Sequence, residues 1–125
     1  MQTLAVCPRF HHASELIGRR WTGAILFILL KSGCRFAMIR AAIPQITDRM
    51  LSDRLRELES EGIVVRTVIP ETPVRVEYAL TKKGRELAAA IHAITRWAEK
   101  WVKIRAADAQ KTRGPRRPAR SGRQD

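Results

Sequence analysis

The chain has 125 residues, a length typical of one domain, and its 24 Lys and Arg against 12 Asp and Glu give a formal net charge of +12. Residues 111–125 hold six basic residues and one acid, a net of +5, and the other 110 residues carry 18 basic against 11 acidic, a net of +7. The charge favours polyanionic partners, nucleic acid before acidic membrane, although solubility alone also explains such a charge.

Nothing in the sequence predicts a membrane segment or export. The longest apolar run, residues 24–30, is too short to cross a bilayer, and the first residues lack the basic start and apolar stretch of a signal peptide. We therefore expect a cytoplasmic, nucleoid-associated protein without a membrane partner. In a reducing compartment, Cys7 and Cys34 are expected to be free thiols.

The first third of the chain predicts two helices. Residues 11–17 form a short helix that Gly18 ends. Residues 21–31 are apolar on nearly every side, which predicts a buried core helix. Their β-branched residues also permit a strand, but the length of the run favours a helix.

A short helix, a turn and a longer helix are predicted next. After an extended link at residues 34–36, residues 37–42 form a helix that Pro44 ends, because the residue before a proline avoids the helical region. Thr47 is a good N-cap for the longer helix, and Gly62 supplies its C-terminal stop.

The longer helix has two distinct faces. At about 100° per residue, with Leu51 set at zero, Leu55 and Leu58 lie at about 40° and −20° and form a stripe that is expected to be buried. The opposite face carries Arg49, Asp53 and Arg56, with Ser52 at its flank.

Two segments rich in β-branched residues, 63–69 and 74–80, follow the longer helix. The segment between them, Pro70-Glu71-Thr72-Pro73, predicts a turn, so the pair forms a β-hairpin, which we call the wing. The predicted fold class is mainly α with a small antiparallel β-hairpin, an α+β arrangement that matches a winged helix-turn-helix.

The last predicted helix runs from a cap at Thr81 to about Arg105. It carries a broad apolar stripe, which in a domain this small favours pairing of two copies across a twofold axis. The alternative is that the stripe only covers the core. The predicted dimerisation residues are Leu87, Ile91, Ile94, Trp97 and Trp101.

Residues 106–125 change in character, because Gly, Pro and Arg replace any apolar period. We expect a basic disordered tail there, and a single winged-helix domain with its dimerisation helices at residues 1–105. The tail either adds sequence-independent attraction to DNA or serves as a solubilising extension.

In a helix-turn-helix, the second helix enters the major groove and needs donors on its outward face. Arg49 and Arg56 supply donors to bases, and Thr47 and Ser52 reach phosphate or base. Asp48 and Asp53 would repel phosphate unless they orient an arginine or accept from cytosine. A solvated amphipathic helix is the alternative, but the order of helix, proline turn, capped helix and hairpin favours DNA.

The candidate DNA contacts extend to the predicted wing, where Arg75 beside Pro73 can reach a phosphate or the minor groove. The full predicted set is Arg35, Thr47, Asp48, Arg49, Ser52, Asp53, Arg56 and Arg75.

Over roughly residues 7–101 the chain resembles the HxlR-type winged-helix transcriptional regulators of bacteria, relatives of the MarR group. The matching elements are Cys7-Pro8, Ile17-Gly18, Trp21-Thr22, Arg35-Phe36, Met50-Leu51, residues 55–58, Gly62-Ile63-Val64, Pro73, residues 76–81 and Gly84. The resemblance implies a homodimer, joined by its N- and C-terminal helices, that binds a short inverted repeat in double-stranded DNA and controls a nearby gene.

The resemblance also implies a role for Cys7, because some members of that family sense oxidants or electrophiles through a cysteine near the N-terminus. Such chemistry needs an exposed thiol with a lowered pKa, for which Arg9 is the candidate cation. The alternative is a small buried thiol in a dimer contact. Cys34 departs from the family's pattern and is expected to be a buried helix-end residue rather than a resolving partner.

The sequence predicts no enzyme, cofactor or metal site. It has no glycine-rich phosphate loop, no G-x-S-x-G and no H-E-x-x-H. Cys7, His11 and His12 lack a fourth ligand for a structural zinc site, and surface or interface histidines explain them better. The alternative function is a winged helix that binds proteins or coats DNA without sequence preference.

Overall fold

The computed structural model describes residues 4–104. The boundary expected at residue 105 and the expected tail at 106–125 lie outside the described residues. The elements in chain order are α1 (Pro8–Ile17), α2 (Thr22–Leu29), β1 (Cys34–Arg35), α3 (Phe36–Ala42), α4 (Asp48–Ser60), β2 (Val64–Ile69), β3 (Arg75–Leu80), α5 (Lys82–Arg85) and α6 (Ala88–Trp101). The predicted fold class is confirmed.

The sheet is antiparallel and has three strands in the order β1-β3-β2. The hairpin of β2 and β3 pairs Val64 with Leu80 at one end and Ile69 with Arg75 at the other. The prediction of a hairpin alone was incomplete, because the link at residues 34–36 also pairs with β3, with Cys34 opposite Tyr78. A strand of two residues has no sequence period, and its partner lies more than 40 residues away, so the pairing leaves no local signal.

The ends of the helices follow local chemistry. α1 begins at Pro8, earlier than the predicted residue 11, because proline at a first helical position has a preset φ and needs no donor. Thr47 caps α4 as predicted, and its hydroxyl accepts from the Met50 N–H at 3.1 Å. Gly62 follows α4 with φ of 73°, a left-handed conformation that glycine adopts without steric cost.

The single long C-terminal helix that was expected from Thr81 to Arg105 is two helices. Thr81 caps the short helix α5 by accepting from the Gly84 N–H at 3.2 Å. A tight turn follows, in which the Leu87 N–H donates to the Gly84 carbonyl at 3.1 Å. α6 then begins at Ala88. The apolar period continues through this break, which is why the sequence pattern did not show it.

The hydrophobic core lies between α2, α4 and the sheet. α4 contributes Leu51, Leu55 and Leu58, each at most 1% exposed, as the stripe predicted. The remaining buried apolar residues are Ile25, Leu26, Leu29, Cys34, Ile39, Ile43, Ile46, Ile63, Val64, Leu80 and Ile91. α2 is the core helix that was expected, but it is not buried on every side, because Phe27 is 43% exposed.

Gly84 is required by close packing, because a Cβ atom there would overlap the carbonyl oxygen of Ile63. Gly23 in α2 is the matched control, since a Cβ at that position meets nothing within 4 Å. We expect Gly84→Ala to lower the free energy of unfolding by about 1–3 kcal/mol through overpacking. Gly23→Ala should be neutral or stabilising by up to about 1 kcal/mol, the gain in helix propensity.

Urea unfolding of the two variants beside the wild type measures both effects. Equal stability of the Gly84→Ala variant and the wild type would contradict the packing of α5 on Ile63.

Candidate nucleic-acid interface and thiol site

α3, the turn at residues 43–47 and α4 form the helix-turn-helix, and the burial of the leucine stripe turns the opposite face of α4 outward. Arg49 and Arg56 are both exposed on that face. Arg56 lies 3.8 Å from Asp53, an exposed pair of little energetic value. Arg49 makes no ion pair with any residue between 4 and 104. Its guanidinium is therefore available to an external acceptor.

Asp48 forms a pair with an arginine. Orienting an arginine is one of the two roles, beside accepting from cytosine, that would explain an acid on a helix expected to face DNA. Arg40 on α3 donates from Nε to the Asp48 carboxylate at 2.9 Å and from Nη1 to the Pro44 carbonyl at 3.4 Å. These bonds connect α3, the turn and the first residue of α4. Arg40 leaves no local signal in the sequence, because its partner lies on the next helix.

Thr47 and Ser52 lie on either side of the first turn of α4, Thr47 as the N-cap and Ser52 in the second turn. Thr47 is exposed, but its hydroxyl oxygen already accepts the capping hydrogen bond from Met50. Ser52 is half-buried on the flank of the outward face. Ser52 lies three residues from Arg49 on the flank of the same face, so it can assist a contact that Arg49 makes.

The wing arginine that the sequence singled out is surrounded by acids. Arg75 Nη2 lies 3.5 Å from the Glu71 carboxylate, and Nε lies 3.3 Å from the Glu77 carboxylate. That Nε atom is buried and makes no hydrogen bond among the described residues, although Glu77 is close. The two carboxylates offset the charge of Arg75, which weakens the prediction that Arg75 contacts phosphate.

Two other arginines near the wing are exposed and have no ion pair within the described part of the chain. Arg35 ends β1 opposite Glu77, and Arg66 lies on the edge strand β2 opposite Tyr78. Arg35 belongs to the predicted set. Arg66 does not, although a charged residue in a predicted hairpin strand is a signal that the sequence contained.

The predicted dimerisation residues separate into two groups. Ile94, Trp97 and Trp101 are 55%, 61% and 64% exposed and share one side of α6. Ile91 is buried in the core, and Leu87 packs against it. These two side chains therefore serve the core rather than an open surface, because the apolar period alone does not separate the two sides of a helix.

An exposed apolar group at the other terminus was missed by the sequence analysis. Phe10 on α1 is 67% exposed, and Val6 just before α1 is 63% exposed. The short, weakly periodic sequence of α1 gave no signal of an apolar surface.

Cys7 is exposed at the N-cap of α1. The backbone N–H groups of Phe10 and, to a smaller extent, Arg9 lower the pKa of the Cys7 thiol by hydrogen bonding, against a small opposing effect of burial. The expected cause was the Arg9 guanidinium; the cause is instead the donors at the start of the helix, which favour a thiolate.

Cys34 is buried, and its thiol contacts the Ser32 carbonyl at 3.4 Å. Burial fits the expected structural role better than that of a resolving partner.

Two histidines of the described residues lie beside acids rather than in a metal cluster. Within residues 4–104, no three His, Cys, Asp or Glu side chains cluster as metal ligands. His12 lies instead 3.0 Å from the Glu61 carboxylate, and His11 lies 3.9 Å from Glu15. No helix among the described residues has the length and apolar character needed to cross a membrane.

Comparison with known families matches residues 16–106 to the HxlR-like helix-turn-helix family. The chain is 49% identical over 102 residues to YvaP of Bacillus subtilis, an uncharacterized HTH-type transcriptional regulator, covering 82% of this chain and 94% of YvaP. It is 44% identical over 96 residues to the HTH-type transcriptional regulator YodB of B. subtilis, covering 77% of this chain and 86% of YodB.

Solved structures agree with this match. Reduced YodB superposes with a TM-score of 0.71 at 42% identity, covering 79% of this chain and 97% of that one. The oxidized form of the redox regulator HypR superposes with a TM-score of 0.74 at 37% identity, covering 78% of this chain and all of that one. The chain belongs to the HxlR-like helix-turn-helix family. It is a DNA-binding transcriptional regulator rather than an enzyme, as predicted.

The lowered pKa of Cys7 predicts how its alkylation depends on pH. The thiolate is the nucleophile. As the pH is lowered, Cys7 should therefore keep its rate of reaction with iodoacetamide to a lower pH than a cysteine in an unstructured peptide does. The Cys34→Ser variant should show the same profile as the wild type, and the Cys7→Ser variant should leave only slow labelling of buried Cys34. If the midpoint of the rate-against-pH profile of Cys7 lies at or above that of the peptide, the effect of the α1 N–H groups is contradicted.

Proposed function

We propose that this regulator is a homodimer that binds an inverted repeat in double-stranded DNA, with α4 in the major groove and Arg49 as its principal base contact. The observation that carries the proposal is the position of Arg49. It is exposed, it lies in the first turn of α4 opposite the buried leucines, and no carboxylate in the described residues competes for it. A free guanidinium there can donate two hydrogen bonds to a guanine edge.

The remaining members of the interface have supporting roles. Arg56 and Ser52 flank Arg49 on α4, and Thr47 and Asp48 order the first turn. Arg66 on the wing and Arg35 beside it are the cations best placed for phosphate, because Arg75 is already balanced by Glu71 and Glu77. Phosphate contacts set orientation and base contacts set sequence preference, so Arg49 and the wing arginines divide these two tasks.

Dimerisation is supported by the exposed apolar side chains at both termini. Ile94, Trp97 and Trp101 on α6 and Phe10 on α1 each leave more than half of their surface open in the single chain. Large apolar patches of this kind on a small domain mark an association surface. A second copy of the chain would cover them and place two copies of α4 on one duplex.

A thiol response through Cys7 is the regulatory part of the proposal. Cys7 is exposed, and its pKa is lowered by the N–H groups of Phe10 and Arg9. The relative YodB has been solved in reduced, diamide-treated and quinone-bound forms, and the structural neighbour HypR is described as a redox regulator. We infer that oxidants or electrophiles modify Cys7 and change the affinity for DNA.

The base-reading role of Arg49 predicts a selective loss. Against a duplex that the wild-type protein enriches from a random-sequence library, Arg49→Ala should weaken binding by about 1–3 kcal/mol. Against a shuffled duplex of the same composition, the loss should be small, because one phosphate-independent contact has been removed. Fluorescence anisotropy with reductant at near-physiological salt measures both affinities.

Arg96→Ala on α6 is the matched control, since it removes the same charge from an exposed position away from the outward face of α4. Equal losses on the enriched and shuffled duplexes would show that Arg49 does not read bases.

The proposed dimer predicts an effect of the exposed tryptophans. Replacing both Trp97 and Trp101 by Ala should raise the dissociation constant of the dimer by about thirtyfold or more, the effect of losing an aromatic anchor. Sedimentation velocity across a dilution series measures it. Val68→Ala, an exposed apolar residue on the wing strand β2, is the control and should leave the dimer intact. A dimer that persists unchanged in the double variant would place the interface elsewhere.

A further inference from the structure

α4 has a third face besides the buried stripe and the outward face. At about 100° per residue from Leu51, Arg54, Glu57 and Glu61 lie at about −60°, −120° and −80°. All three side chains contact α1 or the turn that joins α1 to α2. We call these three residues the α1-facing side of α4.

Arg54 is the best buried residue of this side, with 12% of its side chain exposed. Its Nε donates to the Arg20 carbonyl at 3.0 Å, and its Nη1 donates to the Glu57 carboxylate at 2.9 Å. The same Glu57 oxygen also lies 3.1 Å from Arg19 Nη1. One carboxylate thus joins an arginine of the recognition helix to an arginine of the α1–α2 turn.

These polar bridges matter because α1 has little apolar attachment to the domain. None of its residues is buried, although Leu16 packs against the edge of the core. A cleft of about 580 Å³ separates α1 from the C-terminal half of α4. The bridges through Glu57, together with the contact between His12 and Glu61 at 3.0 Å, span this cleft.

The turn that Arg54 holds has an unusual backbone. Trp21 has φ of 76°, the one non-glycine residue with positive φ among residues 4–104. Such a conformation persists only where the surroundings fix it. The hydrogen bond from Arg54 to the carbonyl of Arg20, the preceding residue, is one such restraint, and the Arg20 guanidinium 4.8 Å above the Trp21 ring is another.

We propose that Arg54 and Glu57 are positioning residues for DNA reading, which fix α4 relative to α1 and so set the geometry of the two recognition helices in the dimer. The inference rests on the proposed function, in which α1 belongs to the dimer surface. Two half-sites are bound together only when the two recognition helices have the matching separation. Arg54 and Glu57 need not touch DNA to affect its recognition.

Glu57→Gln tests the inference because electrostatics and positioning predict opposite results. Removing an acid makes the protein more positive, which by itself strengthens binding to any duplex. If Glu57 positions α4, the affinity for the duplex enriched by the wild type should instead fall by about tenfold, the effect of weakening charge-assisted hydrogen bonds. Affinity for a shuffled duplex should rise or stay unchanged.

Glu59→Gln is the matched control, with the same charge change on the same helix and no ion pair within the described residues. It should not lower the ratio of enriched to shuffled affinity. Arg19→Gln is a second variant at a half-exposed position, where folding is not at risk. It should lower that ratio as Glu57→Gln does, although it changes the net charge in the opposite direction.

The outcomes separate the two proposals. A lowered ratio for Glu57→Gln and Arg19→Gln, with thermal unfolding near that of the wild type, supports the positioning role. If Glu57→Gln and Glu59→Gln change the ratio of enriched to shuffled affinity equally, the positioning role is overturned and the proposed function is not. Failure of the wild-type protein to enrich any duplex overturns the proposed function, and the positioning role with it.

Discussion

The burial of Leu51, Leu55 and Leu58 fixes the rotation of α4 about its own axis, and the functional surfaces follow from that rotation. Each of the three leucines is at most 1% exposed, so turning the helix would expose apolar surface worth roughly 1.5–3 kcal/mol for each side chain. With that side inward, Arg49 and Arg56 face out, and Arg54 and Glu57 face α1. A single helix thereby serves the core, the proposed nucleic-acid interface and the contact with the N-terminal helix.

The distribution of ion pairs decides which arginines stay free for an external anion. Asp48 is held by Arg40, Glu57 by Arg19 and Arg54, and Arg75 lies between Glu71 and Glu77. In each of these pairs, the charge is balanced by a partner within the chain. Exposed pairs of this kind add little stability, but they restrict the orientation of their side chains.

Arg35, Arg49 and Arg66 remain without partners in the described residues. Free guanidinium groups are therefore available on the first turn of α4 and on or beside the wing.

The sequence predicted the features that arise from neighbours along the chain. The leucine stripe, the Thr47 cap and the Gly62 stop are each encoded within one or two turns of helix, so period and capping chemistry identified them. The hairpin was visible from its β-branched strands and proline-rich turn. Arg49 was recognisable as an outward residue because its angle from Leu51 follows from spacing alone.

Features that depend on distant residues were not predictable in this way. β1 exists because Cys34 meets Tyr78, and the break before α6 coincides with the packing of Gly84 on Ile63. The apolar repeat of the last helix does not show that Ile91 lies in the core and Trp97 on the surface, because both residues are part of the same repeat. The neutralisation of Arg75, the bonds of Arg54 and the cause of the Cys7 pKa shift likewise require three-dimensional contacts.

The most direct test of the account is selection of DNA from a random-sequence library by the full-length protein in the presence of reductant, followed by sequencing of the bound duplexes. Base reading by the two α4 helices of a dimer predicts enrichment of an inverted repeat whose half-sites have centres about one helical turn, roughly 34 Å, apart. A bound pool with no shared sequence would contradict base reading by α4, and enrichment of a single, unrepeated half-site would contradict the dimer.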